Sequence, residues 1–393
     1  MKNRFDVSRC CCGGIGWDGY YCSRHSTSEP NIAQIKGSQV AWSAIAGNGI
    51  EGSTQIPLAI GYDPIADEAV TLNTKLVNAP DGTETFINVQ RYNARTGERT
   101  FDGQSGIPQD VFSGGGLFSL SGDGSLIGTT YQTSFFWNDA TVHIVFIDSK
   151  TASLTGDISL DAFTYRLHDL QFDNESNLVC LMSSDPPGFA GLSPFLRSYS
   201  SGGNENSTVD IPVVNEGASN LFSTPERLIL SPDGSAYATI RETYIIPFVG
   251  HRTGVWIHKI DGGGIVNAGA NWPRPVTGGV HLAWQALTSD ALRRNLTDLS
   301  SRVFIWGNPS GFYNPDGTVS STFGSTFDRI LTAHIDRSNR IFYLNDRGDM
   351  EWFPTAGESA GGRVSPASLG LAQGAPSSYD TCALVGEGVP HQS

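Results

Sequence analysis

Short runs of alternating apolar and polar residues recur along most of the chain, and polar turns separate them. One kind of unit is an apolar strand, a turn centred on Asp or Gly, and a second apolar strand, as in "LFSLSGDGSLIGTTYQ" and "RLILSPDGSAYATIRE". Apolar residues at every second position indicate strands with one buried face, and Gly, Asn and Asp favour the tight turns between them. The pattern therefore predicts an all-β protein.

These hairpins repeat. The acidic residues at the centres of the turns are Asp63, Asp123, Asp173, Asp233 and Asp336. The first four lie about 50 to 60 residues apart, and the longer interval before the fifth has room for one more unit. A second hairpin follows each of these turns, for example "VHIVFIDSKTASLTGDISL". Two hairpins per period form a four-stranded unit, and about six such units are typical of a β-propeller.

We therefore expect a β-propeller with six four-stranded blades. Seven blades are the alternative if the insert at 285–301 contains a further sheet, and a pair of β-sandwich domains would show similar hairpins. Propellers are usually closed by one sheet that takes strands from both chain ends, and we expect residues 39–46 and 381–389 to form it. The predicted organisation is a Cys- and Gly-rich N-terminal anchor segment over 1–36 and a propeller over 37–393.

The segment "LILSPDGSAYATI" resembles the Ser-Pro-Asp-Gly turn of TolB-like and WD-repeat propellers. The resemblance extends over the hairpins of about five blades. It implies the propeller fold and says almost nothing about function, because the turn is structural: its Asp accepts backbone N–H groups and its Gly supplies backbone freedom.

Charge and hydropathy exclude two classes of partner. The formal net charge is −14, with only 25 Lys and Arg residues, so a basic face that binds nucleic acid is not expected. No run of about 18 apolar residues predicts a membrane span. The N-terminus also lacks the apolar stretch of a secretory signal. We expect a location in a virion or outside the cell by another route, with the cytoplasm as the alternative.

The leader "RCCCGGIGWDGYYCSRH" carries the most distinctive chemistry. Cys10, Cys12, Cys22 and His25 have the residue types of a four-ligand zinc site, and thiolates could also hold an iron–sulfur cluster. Cys11 is a further candidate ligand. A disulfide within or between chains fits the same residues equally well, and free thiols are the third reading.

Aromatic, Pro-rich segments at 183–195, 243–254 and 307–317 predict loops on one end of the propeller, where binding surfaces commonly form. The candidate contact residues are Phe189, Phe195, Phe248, Phe312 and Tyr313.

No nucleophile elbow, zincin motif or phosphate-binding loop occurs in the sequence, so we expect a protein that is not an enzyme. The predicted function is a structural or attachment component of a larger assembly that binds other protein subunits, or a cell-surface glycan or receptor, and is oligomeric there. The opening "MKNRFDVSRCCCGG" resembles, over about a dozen residues, uncharacterised tailed-phage virion proteins, which implies a tail or adhesion component. The alternatives are a polysaccharide-acting hydrolase or lyase and a cytoplasmic peptide-binding scaffold.

Overall fold

The structure is a computed structural model, and it describes a large part of the chain. The described residues are 17–22, 32–37, 39–45, 57–79, 82–108, 117–132, 141–162, 164–184, 193–212, 214, 219–230, 235–246, 250–261, 264–265, 274–276, 287–288, 303–305, 310–314, 316–323, 330–335, 341–345, 349–353, 362–371 and 381–384.

Within these residues the regular structure is β-strand, apart from one short 3-10 turn at Pro366–Leu369. The strands are β1 (Trp17–Cys22), β2 (Ile32–Gly37), β3 (Gln39–Ala44), β4 (Pro57–Asp63), β5 (Glu68–Ala79), β6 (Gly82–Asn93), β7 (Arg99–Pro108), β8 (Phe118–Leu120), β9 (Leu126–Gln132), β10 (Thr141–Asp148), β11 (Leu154–Asp161), β12 (Tyr165–Phe172), β13 (Leu178–Ser184), β14 (Ser193–Tyr199), β15 (Glu205–Asp210), β16 (Ser219–Leu230), β17 (Ala236–Ile246), β18 (Gly250–Asp261), β19 (Gly264–Ile265), β20 (Arg274–Val276), β21 (Leu287–Thr288), β22 (Val303–Ile305), β23 (Ser310–Tyr313), β24 (Val319–Phe323), β25 (Ile330–Ile335), β26 (Ile341–Asn345), β27 (Met350–Phe353), β28 (Gly362–Val364) and β29 (Thr381–Leu384).

The described strands form seven antiparallel sheets, numbered here along the chain. Sheet I has the order β29-β1-β2-β3, sheet II is β4 to β7, sheet III is β8 to β11, and sheet IV is β12 to β15. Sheet V is β16 to β19, with β20 also paired to β18. Sheets VI and VII are β21 to β24 and β25 to β28. Each sheet is therefore a local meander, except that sheet I recruits the strand β29 from the far end of the sequence.

The first strands of the sheets contact one another in a closed ring. The succession of contacts is β29, β4, β8, β12, β16, β21, β25 and back to β29. Four-stranded meanders whose inner strands surround a common axis define a β-propeller. The prediction of an all-β propeller made of four-stranded sheets is thus confirmed, and sheet I pairs a strand near the start of the chain with one near its end.

Sheet I also explains how the sheets relate to the sequence repeats. The six repeats correspond to sheets II to VII, whereas sheet I is built mostly from residues that precede them. Strands β3 and β29 are the two edge strands of this sheet, so 39–46 and 381–389 contribute to one closing sheet as predicted, with β1 and β2 between them. The boundary predicted between 36 and 37 falls inside β2, and β1 also lies in this sheet. Part of the segment predicted as a separate anchor therefore contributes backbone hydrogen bonds to the ring.

The apolar core lies between neighbouring sheets. Four clusters fill the successive interfaces from sheet I to sheet V, and each combines residues from two adjacent sheets. In the interface of sheets II and III, for example, Leu72 and Val89 pack with Ile127 and Val145, all fully buried. Because both faces of an inner sheet are covered, burial of apolar area holds the ring together.

The predicted turn acids that lie in the described residues close the hairpins as expected. Asp63 Oδ1 accepts the backbone N–H groups of Ile65 and Ala66 at 2.9 and 3.0 Å. Asp123 and Asp173 accept backbone N–H groups of their own turns in the same way. Asp233 and Asp336 lie outside the described residues. Such bonds satisfy turn N–H groups that have no partner in the strands.

Asp63 has a second role, because a buried arginine links it to the next sheet. Arg91 of β6 forms an ion pair with Asp63 and another with Glu68, whose Oε2 is 2.5 Å from Arg91 Nε. Arg91 Nη1 also donates to Ser149 Oγ at 2.6 Å. Ser149 Oγ in turn donates to the carbonyl of Gly124 at 2.5 Å. Ser149 and Gly124 belong to turns of sheet III, so one side chain fastens sheet II to both turns of its neighbour.

Gly124 is needed for this contact. Its φ of +69° is in the left-handed region, and a Cβ built at this position would lie 2.2 Å from Asp63 Cγ. Any other residue would be strained in backbone and would push Asp63 away from the arginine.

We expect Arg91→Met to lower the free energy of unfolding by about 3–5 kcal/mol, because it leaves the buried carboxylate of Asp63 without its cation. The matched control is Arg95→Met, since Arg95 is 82% exposed and pairs with Asp67 at 3.0 Å. The control change should cost less than about 1 kcal/mol. Urea unfolding of the two variants measures both values, and equal effects would show that the buried network contributes no more than a surface ion pair.

Candidate functional site

The described residues bring an imidazole, a carboxylate, a hydroxyl and a phenol together on sheet III. His143 of β10 is the strand partner of Tyr131 on β9 and of Ser159 on β11, so the three side chains share one face of the sheet. Asp157 lies on the same face, two residues before Ser159. The face is the one that packs on sheet II, because Val145 and Tyr131 belong to the core between these sheets.

The geometry fixes the imidazole of His143. Its Nδ1 lies 2.8 Å from Asp157 Oδ1 and 3.3 Å from Ser159 Oγ. The ring stacks on Tyr131 with centroids 4.3 Å apart and planes inclined by 11°. The Tyr131 hydroxyl donates to Asp157 Oδ2 at 3.4 Å. Burial and the neighbouring carboxylate of Asp157 together raise the pKa of Tyr131 to about 12.

This arrangement leaves one nitrogen of His143 for a ligand. A carboxylate that accepts from Nδ1 orients the ring and leaves the Nε2 lone pair free, the arrangement found behind metal-binding and basic histidines. Ser159 lies beside the same nitrogen as Asp157, so the three residues do not form the relay of a serine hydrolase, which needs the hydroxyl at Nε2. The Nε2 side of the ring can therefore accept a hydrogen bond from a ligand.

Two other described histidines, one half-buried and one fully buried, lie in a structural setting. His168 Nε2 lies 2.8 Å from Ser183 Oγ, and burial, with a smaller effect of the Arg166 charge, lowers the pKa of His168 to about 4. His258 is 1% exposed, neither of its ring nitrogens has a hydrogen-bond partner, and burial lowers its pKa to about 4. Both rings are therefore neutral at pH 7.

These histidines predict acid sensitivity. Because their folded pKa values lie below the ordinary 6.5, the unfolded chain binds more protons, and stability falls as the pH drops from about 6.5 to about 4. We expect His258→Leu to remove on the order of 2 kcal/mol of the stability difference between pH 7 and pH 4.5. Urea unfolding at both pH values measures it. Ile260→Val, on the same strand, should shift both values equally, and an unchanged pH dependence in His258→Leu would contradict the assignment.

The predicted metal ligands cannot be placed by the structure. Cys10, Cys11, Cys12 and His25 lie outside the described residues, and of Cys22 only the backbone in β1 is described. Within the described part of the chain, no three His, Cys, Asp or Glu side chains are grouped as a metal site would require. Cys180 is a buried free thiol there, and burial raises its pKa above the ordinary value of 9.0.

The predicted binding-loop residues do not form one surface in the described part of the chain. Phe195 is a strand residue of β14, 5% exposed, and packs in the core between sheets III and IV, which corrects its assignment to a loop. Its ring meets Tyr165 edge-on at 6.2 Å. Phe312 and Tyr313 lie in β23 and are also not loop residues. Phe189 and Phe248 lie outside the described residues. The aromatic segments include strand ends as well as turns, which sequence reading could not separate.

Sequence reasoning missed the group around His143. The hairpin "VHIVFIDSKTASLTGDISL" turns after Asp148, and Ile147 pairs with Leu154, so counting back along both strands would pair His143 with Ile158. An irregularity between Phe146 and Ile147 shifts the register by one residue and brings Ser159 opposite His143, and the sequence carries no signal for that shift.

No protein-family profile and no curated protein matches the chain. Among solved structures, it is similar to the β-propeller domain of the Trilobed protease from Pyrococcus furiosus, with 12% identity over 76% of this chain and 79% of that one and a TM-score of 0.44.

Two further solved structures are similar to the chain at a comparable level of identity and TM-score. For the Dos1 propeller the identity is 11%, over 79% of this chain and 71% of that one, with a TM-score of 0.43. For Pyrococcus horikoshii acylaminoacyl peptidase the identity is 14%, over 75% of this chain, with a TM-score of 0.44. The chain spans only 44% of that peptidase. Assignment to the β-propeller class therefore rests on the closed ring of inner strands.

Among the described residues, no helix is long and apolar enough to cross a membrane.

Proposed function

We propose that the protein is a seven-bladed, non-enzymatic propeller that serves as a structural or attachment component of a larger extracellular or virion assembly. The seven described sheets are its blades, and residues of the leader that precede β1 carry the anchor. In the form that the leader's resemblance implies, the assembly is a phage tail or adhesion structure.

The observation that carries this proposal is the outer rim of the blades. The outermost strand of sheet IV, β15, has the sequence "ENSTVD", and all but one of its residues are exposed. The outermost strand of sheet III, β11, has five exposed residues out of eight, and its Leu160 is buried in the core. An edge strand offers unpaired backbone groups to a partner, and charged or polar side chains on it prevent indiscriminate pairing. Such a rim favours selective contacts with polar protein subunits or glycans.

The position of the leader supports the second half of the proposal. Because β1 lies in sheet I next to β29, a segment that precedes it starts at the rigid ring itself. A partner that holds residues 1–16 would therefore hold the whole propeller. Adjacent cysteines in that segment could link it covalently to a second subunit.

The test is an intact-mass measurement on the full chain, purified without reductant and alkylated before denaturation. We expect the leader cysteines Cys10, Cys11 and Cys12 to be unlabelled, in a bridged or crosslinked species that reduction converts to a labelled monomer. Cys180 is the internal control, because its burial should protect it in the folded chain. Complete labelling of the leader, together with a monomer by light scattering at all concentrations, would contradict the covalent anchor.

A further inference from the structure

A row of buried polar side chains occupies sheet II where apolar residues would be expected. Thr71 and Asn73 of β5 are the strand partners of Gln90 and Asn88 of β6. All four are at most 1% exposed. Four neutral polar side chains side by side in a propeller core need hydrogen-bond partners, since an unpaired buried polar atom costs about 1–3 kcal/mol.

The donors of this row are directed at acceptors within it. Asn73 Nδ2 donates to Thr71 Oγ1 at 2.9 Å and to Gln90 Oε1 at 3.1 Å. Asn88 Nδ2 donates to Asp102 Oδ1 at 2.9 Å. Gln90 Nε2 donates to the other oxygen of Asp102 at 3.3 Å. These bonds also fix which end of the Asn73 and Asn88 amides is nitrogen, because only the NH₂ end can donate.

The carbonyl ends of the two asparagines have no partner. Asn73 Oδ1 and Asn88 Oδ1 are both buried without a hydrogen bond, and they belong to residues directly opposite each other. In a paired position the Cβ atoms are about 5 Å apart, so the two amide groups are neighbours.

A third unpartnered amide oxygen comes from sheet I. Gln34 of β2 is 3% exposed, and its Oε1 has no hydrogen bond. Gln34 lies two residues after Ile32, which packs in the core between sheets I and II, so both face sheet II. Its strand partner is Trp42, whose ring stacks on Tyr92 with centroids 6.2 Å apart. The Tyr92 hydroxyl donates to Gln90 Oε1 at 2.8 Å, which connects this residue to the polar row.

The unpartnered buried atoms of this row are all acceptors. A bound molecule or ion that satisfies these oxygens must therefore present only hydrogen-bond donors or a positive charge. A water molecule donates two hydrogen bonds and brings two lone pairs that would need donors in turn, whereas one cation can be bound by several amide oxygens at once. Side-chain and backbone carbonyl oxygens bind Ca²⁺ in proteins, and carbonyl oxygens alone bind K⁺.

We propose that the amide oxygens of Gln34, Asn73 and Asn88 hold a hard cation, such as Ca²⁺, K⁺ or Na⁺, between the first two sheets of the propeller. The Asp102 carboxylate, 26% exposed, accepts hydrogen bonds from Asn88 and Gln90 and pairs with Arg99 at 3.2 Å, so it orients the amides of the site while its own charge is matched by Arg99. The cation joins sheet I, in which β1 pairs with β29, to sheet II.

The test is urea unfolding of the full chain after removal of metals with EDTA, in CaCl₂, MgCl₂, KCl, NaCl or choline chloride at equal ionic strength. We expect one of the metal salts to raise the urea midpoint above that in choline chloride. Asn73→Asp adds a carboxylate ligand, so the same cation should bind it at least tenfold more tightly. The matched control is Asn206→Asp, an exposed change on β15, which should leave the cation effect at the wild-type size.

If Asn73→Asp does not fold, binding is measured directly on the wild-type chain. Equilibrium dialysis of the wild-type chain against each salt, followed by elemental analysis, should then find one bound cation per chain. Equal midpoints in all five salts, with no cation retained in dialysis, would overturn the proposal and assign the site to ordered water.

Discussion

The buried guanidinium of Arg91 is the contact on which the join between sheets II and III depends most. It binds the turn acid of one sheet and the serine of the next, so the hairpin turns that define the repeat also fix the angle between two blades. Apolar packing alone tolerates sliding, because it has no direction. A buried ion pair does not tolerate sliding, since any displacement of one sheet along the other leaves a charge unpaired. The main contribution of the network is therefore to fix the position of sheet II relative to sheet III.

Backbone hydrogen bonds close the ring. Sheet I takes three strands from the start of the described chain and one from its end, and backbone hydrogen bonds between β1 and β29 join them. Opening the ring there would expose two strand edges and the apolar surface beneath them. The polar row between sheets I and II lies beside this closure, where a bound cation would oppose opening. The strand β1 that takes part in this closure lies directly after the residues proposed as the anchor.

The fold could be predicted from local signals, but the site could not. The turns at Asp63, Asp123 and Asp173 are visible because each acid satisfies its own turn, and they identified the hairpins. The strands β1 and β2 carry no such turn, so the sequence pattern assigns β1 and nearly all of β2 to the leader instead of to sheet I. Arg91 and the amides of Asn73 and Asn88 depend on partners in other strands or sheets. Those partners become neighbours only once the register is known.

Pairing of β1, near the start of the chain, with β29, near its end, closes the ring. Hydrogen–deuterium exchange of the native chain, read at the amides of β1 and β29, measures this pairing. We expect both strands to be protected and to lose protection together as urea is added, because each is the other's partner. Exchange at the rate of an unfolded chain in both strands, while β5 and β6 stay protected, would contradict it.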